Sequence, residues 1–184
     1  MNAATFEHGW LRGARHRPSP HCDARPAAAS VELVVIHAIS LPPGQFGTGC
    51  VEDLFLGRLD HAAHAYFDGL RALRVSAHFL IGRDGALTQF VSCAARAWHA
   101  GRSCWQGREA CNDFSVGIEL EGCDALAFTD GQYATLGALL ATLRAHYPVL
   151  DGDRVVGHSD IAPGRKSDPG PCFDWARLRA ALAR

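Results

Sequence analysis

Residues 31–37 read Val-Glu-Leu-Val-Val-Ile-His, a short run dominated by β-branched and apolar side chains. Such a run is typical of a strand that is buried on both faces of a sheet. We expect the strand to end at His37, because Pro42-Pro43-Gly44 and the glycines after it indicate a long loop. Loops of this kind in compact domains are usually functional or mobile.

The rest of the chain alternates between strand and helix patterns. Asp84-Gly85 predicts a β-hairpin with strands at 77–81 and 87–91, and further strands are predicted at 115–121 and 154–158. A helix is predicted after a capping box of Thr129 and Gln132, with four leucines on one stripe: Leu136, Leu139, Leu140 and Leu143. A last helix is predicted from about Asp174, with three buried side chains: Trp175, Leu178 and Leu182. Interleaved strands and helices predict an α/β fold with a central mixed β-sheet flanked by helices.

A chain of 184 residues fits a single domain with a short appendage. Residues 1–30 are rich in Arg, Pro and Ala, so we expect an N-terminal arm packed on a domain formed by residues 31–184.

The strand at 115–121 predicts a polar face. Ser115, Gly117, Glu119 and Glu121 occupy every second position of this strand, and the positions between them, from Val116 onward, are apolar. Because side chains alternate across a strand, both glutamates should lie on the same face, beside a glycine that leaves room.

Composition excludes several classes of protein. The formal net charge of −1 offers no basic face for nucleic acid. No apolar stretch is long enough to span a bilayer, and residues 1–17 lack the apolar core of a signal peptide, so we expect a cytoplasmic protein. Seven cysteines without a Cys-x-x-Cys pair argue against a zinc knuckle and favour free thiols, most of them buried.

Ten histidines make a metal site the first chemistry to consider. His37 and His158 each end a predicted strand, and Asp168 follows in a stiff segment rich in proline and glycine. Two imidazoles and one carboxylate match a catalytic zinc site with a fourth position for water. Most single histidines instead serve as hydrogen-bonding surface or core residues, and spacing alone leaves that alternative open.

Five strings then carry a resemblance: residues 35–44, 73–78, 97–101, 112–122 and 157–171. In the same order along nearly the whole chain, they resemble the cytoplasmic 1,6-anhydro-N-acetylmuramoyl-L-alanine amidases of peptidoglycan recycling. These belong to the zinc amidases that include phage lysozyme-type amidases and peptidoglycan recognition proteins.

The resemblance implies one Zn²⁺ per chain, held by His37, His158 and Asp168, and catalytic roles for Glu119 and Lys166. Glu119 would move a proton between the attacking water and the leaving amine, and Lys166 would stabilise the oxyanion. Without the resemblance, Glu119 would be interpreted as a solvated strand residue and Lys166 as a surface cation. Parity does not separate Glu119 from Glu121; only the resemblance selects Glu119.

The resemblance also implies a small-molecule muropeptide substrate, with no nucleic acid, membrane or second subunit as partner, and an influence on β-lactamase induction. Tyr66, Arg74 and Trp98 are its candidate substrate contacts. Arg74 would bind a peptide carboxylate through its guanidinium fork or form a salt bridge. Tyr66 would assist the attacking hydroxide or the oxyanion, or would only pack against its neighbours. Trp98 would form the base of a sugar-binding pocket or belong to the core.

Four further histidines are not nominated as ligands. His61 and His64 are expected to be a solvated pair, and His78 and His99 to lie near the site or hydrogen-bond to its ligands. Ala38 and Ala110 depart from the resembled pattern, which commonly carries asparagine and a basic residue there, and both departures bear on substrate contacts.

Three other functions compete with the predicted enzyme. A binding-only muropeptide module typically lacks a zinc ligand, whereas all three candidates are present here. A general amidase acting on polymeric peptidoglycan would be exported. A thiol hydrolase would pair one of the cysteines with a histidine and would be insensitive to chelators.

Overall fold

The structure is a computed structural model and describes residues 5–182. The strands are β1 (Phe6–Glu7), β2 (Trp10–Leu11), β3 (Arg15–His16), β4 (Cys22–Ala24), β5 (Leu33–Ile39), β6 (Phe79–Ile81), β7 (Leu87–Gln89), β8 (Ala95–Ala97), β9 (Cys104–Trp105), β10 (Arg108–Glu109), β11 (Ser115–Glu121) and β12 (Val155–Gly157). The helices are α1 (Cys50–Phe55), α2 (Asp130–His146), α3 (His158–Ile161) and α4 (Trp175–Leu182), with 3₁₀ turns at Ala65–Leu70, Cys111–Asp113 and Gly152–Arg154.

The predicted α/β fold with a mixed central sheet is confirmed. Six strands lie in the order β12-β5-β11-β6-β7-β3, in which β12, β5, β11 and β6 are parallel and the β6–β7 hairpin is antiparallel. The apolar side chains of β11 and those of β5 up to Ile36 are completely buried, as expected of strands covered on both faces, whereas Ala38 and Ile39 at the end of β5 are half-buried.

The end of β5 differs from the prediction. His37 does not terminate the strand, which continues to Ile39 because its parallel ladder with β11 extends to the Glu121–Ile39 pair. The predicted bounds of β11 are confirmed, and β12 stops at Gly157, so His158 opens α3 instead of ending a strand.

Helix α2 covers the sheet as its sequence predicts. Its capping box forms between Thr129 and Gln132, and its four predicted leucines are buried in the main core. Phe128 and Tyr133 both pack on Phe173, each with ring centroids 5.4 Å apart. Within residues 5–182, none of the helices combines the length and the apolar character that crossing a bilayer requires.

The N-terminal segment is hydrogen-bonded to the rest of the chain. Strand β3 pairs with β7 at the edge of the main sheet, and β4 pairs with β8. The guanidinium of Arg25 donates to the backbone carbonyls of Cys93, Asn112, Asp113 and Ser115. The division into an arm and a domain stays a prediction.

All seven cysteines are free, but the expectation that most are buried was wrong. Only Cys93 and Cys111 are buried; Cys104 is exposed and the other four are intermediate. Those five lie in loops or in short elements at the edge of the fold, where backbone geometry leaves part of the side chain in solvent.

Candidate metal centre

Two neighbouring parallel strands and one turn bring the three predicted ligands together. His37 lies in β5, and His158 directly follows β12, whose last residue pairs with Ile36. The segment after α3 then turns back, and the carbonyl of Asp168 accepts a hydrogen bond from the amide of Ser159 at 3.0 Å. This turn returns a carboxylate to the same edge of the sheet.

The three candidate ligand atoms form a small triangle. Nδ1 of His37 lies 2.9 Å from Nδ1 of His158 and 3.1 Å from Oδ2 of Asp168. The remaining side, from His158 Nδ1 to Asp168 Oδ2, measures 3.0 Å. Ligand atoms of a tetrahedral zinc ion are about 3.3 Å apart, given the usual bond lengths. The triangle therefore has the size of one face of such a site.

The protonation of the imidazoles also fits a cation. Nε2 of His158 lies 3.1 Å from the carbonyl oxygen of Ala100, which can only accept, so a ring proton on Nε2 satisfies that carbonyl and leaves the lone pair of Nδ1 for a cation. Burial lowers the pKa of His37 to about 4 despite the neighbouring Asp168, so that ring is neutral at pH 7. Neutral imidazole nitrogens and a carboxylate oxygen are ligands that zinc prefers.

Glu119 lies beside the triangle, because it pairs with His37 in the parallel ladder of β5 and β11. Its side chain is buried, and its Oε2 is the buried side-chain oxygen that has no hydrogen-bond partner within residues 5–182. Burial, and to a lesser degree the charge of Asp168, raises the pKa of Glu119 well above its usual value, while Lys166 opposes the shift. This carboxyl group is suited to accept and return a proton.

Glu121 is occupied elsewhere, although it shares a face of β11 with Glu119. Its carboxylate accepts hydrogen bonds from the backbone amides of Gly47, at 2.6 Å, and Arg83, at 3.4 Å. Glu121 therefore holds the loop after Ser40 against the β6–β7 hairpin. The structure separates two glutamates that strand parity left equivalent.

A cleft of about 750 Å³ opens over the triangle. Lys166 is exposed within it, and its wall also contains the three candidate substrate contacts, Tyr66, Arg74 and Trp98. Every predicted site residue thus lies in one cleft of a size common for ligand sites. Their individual roles stay predictions.

The candidate substrate contacts differ in how they are held. Tyr66 is 49% exposed. The guanidinium of Arg74 donates only to backbone carbonyls of Arg71 and Leu73 within the described residues, so the salt bridge considered for it is not formed there. The indole nitrogen of Trp98 donates to Asp23, which leaves the ring at the cleft wall.

The other histidines take non-ligand positions, as expected. His61 and His64 bond locally, to the carbonyl of Phe67 and the amide of Tyr66. His78 is buried behind the site, and His99 bonds to His37. Burial, followed by the nearby His37 and His78, lowers the pKa of His99 well below its usual value. Within residues 5–182, only the His37–His158–Asp168 cluster can hold a metal ion through three or more such side chains.

Sequence reasoning missed three residues around the site. The side-chain oxygen of Asn112 accepts hydrogen bonds from the backbone amides of His99 and Ala100. The guanidinium of Arg165 donates to the carbonyl of Ala100, and the hydroxyl of Ser115 is hydrogen-bonded to His99. Only Ser115 carried a usable signal, because it shares its strand face with Glu119. Of the two departures, Ala38 lines the cleft and Ala110 is not among its lining residues.

Comparison with known proteins identifies relatives over nearly the whole chain. A family model described as N-acetylmuramoyl-L-alanine amidase matches residues 27–171. The chain is 56% identical over 177 residues to the 1,6-anhydro-N-acetylmuramyl-L-alanine amidase AmpD of Citrobacter freundii, covering 96% of this chain and 94% of that protein.

Solved structures agree with these matches. A crystal structure of a selenomethionine derivative of AmpD superposes with a TM-score of 0.93 at 55% identity, covering 96% of this chain and 98% of that one. The amidase AmiD of Escherichia coli, solved in complex with anhydro-N-acetylmuramic acid-L-Ala-D-γ-Glu-L-Lys, gives a TM-score of 0.61 at 28% identity, covering 98% of this chain and 66% of that one.

In metal-free protein, we expect Glu119→Gln to stabilise the fold increasingly as the pH rises. The raised pKa of folded Glu119 means that unfolding releases a proton once the pH exceeds the ordinary value of 4.5. The wild type therefore loses stability as the pH rises from there through the folded pKa, and the variant does not. Urea unfolding of both proteins over a pH series measures the difference.

The exposed Glu109→Gln variant, measured over the same series, provides the baseline for that comparison. A difference between wild type and Glu119→Gln that stays constant with pH would show that Glu119 is not held in its protonated form by burial.

Proposed function

The chain belongs to the N-acetylmuramoyl-L-alanine amidase family, and we propose how its residues cleave the amide between the lactyl group of 1,6-anhydro-N-acetylmuramic acid and the L-alanine of the stem peptide. It is an amidase of peptidoglycan recycling, as its full-length similarity to AmpD indicates. The observation that carries the mechanism is the triangle of His37, His158 and Asp168 at the floor of an open cleft, with the unpartnered Oε2 of Glu119 beside it.

We assign one Zn²⁺ ion to the triangle, held by Nδ1 of His37, Nδ1 of His158 and Oδ2 of Asp168. Bound there, zinc would polarise the lactyl carbonyl and lower the pKa of water at the open fourth position. The two neutral imidazoles and the carboxylate leave a net positive charge on such a site, which favours the negative charge that develops on the carbonyl oxygen.

Glu119 moves the proton. Its carboxylate accepts a proton from the attacking water as the oxygen bonds to the lactyl carbon, and it then donates that proton to the nitrogen of L-alanine as the carbon–nitrogen bond breaks. Burial raises the pKa of Glu119 in the metal-free protein, and this makes its carboxylate a stronger base than that of an exposed glutamate. The charge of Lys166 opposes that shift, and a bound Zn²⁺ would oppose it further, so that the carboxylate is the form that meets the attacking water. The products are the lactyl carboxylic acid of the anhydro-sugar and a free peptide.

Lys166 supplies the second cationic group. It lies two residues before Asp168 and lines the same cleft as Glu119. We assign it to the developing oxyanion. Arg74 would bind a carboxylate of the stem peptide, and Tyr66 and Trp98 would contact the peptide and the sugar.

We further propose that the enzyme works as a monomer in the cytoplasm, with residues 1–30 as an arm and residues 31–184 as the amidase domain. Size-exclusion chromatography with light scattering, cell fractionation, and limited proteolysis test these three points separately.

Stripping the metal with a chelator should abolish release of free peptide from anhydro-N-acetylmuramoyl peptide, and adding Zn²⁺ should restore it. Glu119→Gln should lower kcat by about 10²–10⁴-fold, and Lys166→Met by about 10²–10³-fold. Mass spectrometry of the products follows turnover, and metal analysis establishes that each variant retains one zinc ion.

The same assay separates the competing functions, with Glu109→Gln as the control for Glu119→Gln. Binding without turnover by the zinc-loaded protein would indicate a recognition module. Faster cleavage of intact sacculi than of soluble anhydro-muropeptides would indicate a general cell-wall amidase, and activity that survives chelation would indicate a thiol hydrolase.

Arg74→Ala should raise KM by about 10–100-fold with kcat little changed, because a charged hydrogen bond to the substrate is lost in ground and transition states alike. Amidating the peptide carboxylates should impair the wild type more than the variant. Arg71→Ala is the matched control, since Arg71 is exposed and pairs with Asp68 at 2.8 Å. Equal KM values for wild type and Arg74→Ala would contradict the assignment.

A further inference from the structure

A chain of hydrogen bonds runs from the metal triangle into the protein. Nε2 of His37 lies 2.9 Å from Nδ1 of His99, and Nε2 of His99 lies 3.1 Å from the hydroxyl oxygen of Ser115. That hydroxyl lies 2.6 Å from the backbone carbonyl oxygen of Cys111. His37 and Ser115 are buried, and His99 bridges them at the wall of the cleft.

The direction of this chain is determined at its inner end. A carbonyl oxygen can only accept, so the single hydroxyl proton of Ser115 is donated to Cys111. The oxygen of Ser115 must then accept from Nε2 of His99. A neutral imidazole carries one ring proton, so Nδ1 of His99 is left with a lone pair.

The lone pair on His99 decides the tautomer of His37. Because Nδ1 of His99 can only accept, Nε2 of His37 must donate to it and therefore carries the ring proton. Nδ1 of His37 can then present its lone pair to a cation, in competition with Oδ2 of Asp168, which lies 3.1 Å away and draws a proton to Nδ1 when no cation is bound. The carbonyl of Ala100, 3.1 Å from Nε2 of His158, favours the same tautomer there, although Nη2 of Arg165 also lies 3.4 Å from that nitrogen.

The fold holds the middle of the chain in place. A Cβ atom on Gly117 would collide with the ring of His99, so only glycine leaves room for the imidazole at this point of β11. The side-chain oxygen of Asn112 accepts a hydrogen bond from the backbone amide of His99 at 3.1 Å. Arg25 binds the carbonyls of Asn112 and Ser115, which ties the supporting loop to the N-terminal segment.

From this geometry we propose that His99 and Ser115 are positioning residues that keep the proton of His37 on Nε2, so that Nδ1 is ready to bind the metal ion. The inference rests on the metal site assigned above and extends it to residues that do not touch the ion. Outer partners of this kind fix ring orientation and tautomer, and losing one typically costs about 10–100-fold in metal affinity.

The tautomer itself is measured in metal-free Asp168→Ala protein, because in the wild type Oδ2 of Asp168 lies 3.1 Å from Nδ1 of His37 and would draw a proton to it in the absence of a cation. Long-range ¹H–¹⁵N correlation spectra distinguish Nδ1-H from Nε2-H imidazoles, and we expect His37 and His99 both to be Nε2-H tautomers. An Nδ1-H tautomer at His37 would overturn the proposal, whether or not the protein binds zinc. Failure of the metal assignment is thus distinguishable, since it would show as absent zinc binding with the tautomers as expected.

Variants at His99 test the need for an acceptor. His99→Asn keeps an oxygen near the position of Nδ1, whereas His99→Leu has none. We expect His99→Leu to lose about 10–100-fold in zinc affinity, measured by competition with a chelator, and His99→Asn to recover most of that loss. Equal loss in both variants would show that the ring acts only by packing and would overturn the proposal.

Ser115→Ala tests whether the hydroxyl of Ser115 determines the direction of the hydrogen bonds from His37 through His99. Without the hydroxyl, neither tautomer of His99 is imposed, so we expect about a tenfold loss of zinc affinity and, when Asp168→Ala is also present, a mixture of His37 tautomers. Ser19→Ala is the matched control, because Ser19 is also buried and donates to a backbone carbonyl, that of Phe55. Equal zinc affinities for Ser115→Ala and Ser19→Ala, together with an unmixed His37 tautomer when Ser115→Ala and Asp168→Ala are combined, would contradict the proposal.

Discussion

The parallel pairing of β5 with β11 on one side and β12 on the other is the constraint from which the rest of the site follows. Its register places Glu119 opposite His37 and brings His158 next to them, although these residues are far apart in the sequence. Because all three strands run in the same direction, their carboxyl ends meet at one sheet edge, where α/β proteins commonly bind ligands. The turn to Asp168 completes a cluster that the sheet has already positioned.

This arrangement concentrates buried polar groups in a part of the fold that apolar side chains would fill more favourably. His37 and Glu119 are nearly inaccessible to solvent. Burial lowers the pKa of His37 and raises the pKa of Glu119, and both shifts favour the neutral form of the side chain. Such shifts are characteristic of functional sites. The surrounding backbone carbonyls and the Asn112 side chain satisfy the neighbouring groups, so that the unsatisfied Oε2 of Glu119 remains available for substrate and water.

Local signals in the sequence predicted local structure well. The alternation over 115–121 predicted the bounds of β11, Asp84-Gly85 predicted the hairpin, and Thr129 with Gln132 predicted the start of α2. The continuation of β5 beyond His37 depends on pairing with β11, which no single segment reveals. The part played by Ser115 depends on the approach of His99 across Gly117, a contact between distant segments that periodicity does not encode. The resemblance to known amidases, not spacing, selected Glu119 over Glu121.

The most direct test of this account is anomalous diffraction at the zinc edge from crystals of the zinc-loaded, active protein. We expect a single peak about 2.0–2.2 Å from Nδ1 of His37, Nδ1 of His158 and Oδ2 of Asp168. A fully active protein whose anomalous peak lies elsewhere, or that shows none, would contradict the central claim that these three side chains hold the catalytic metal.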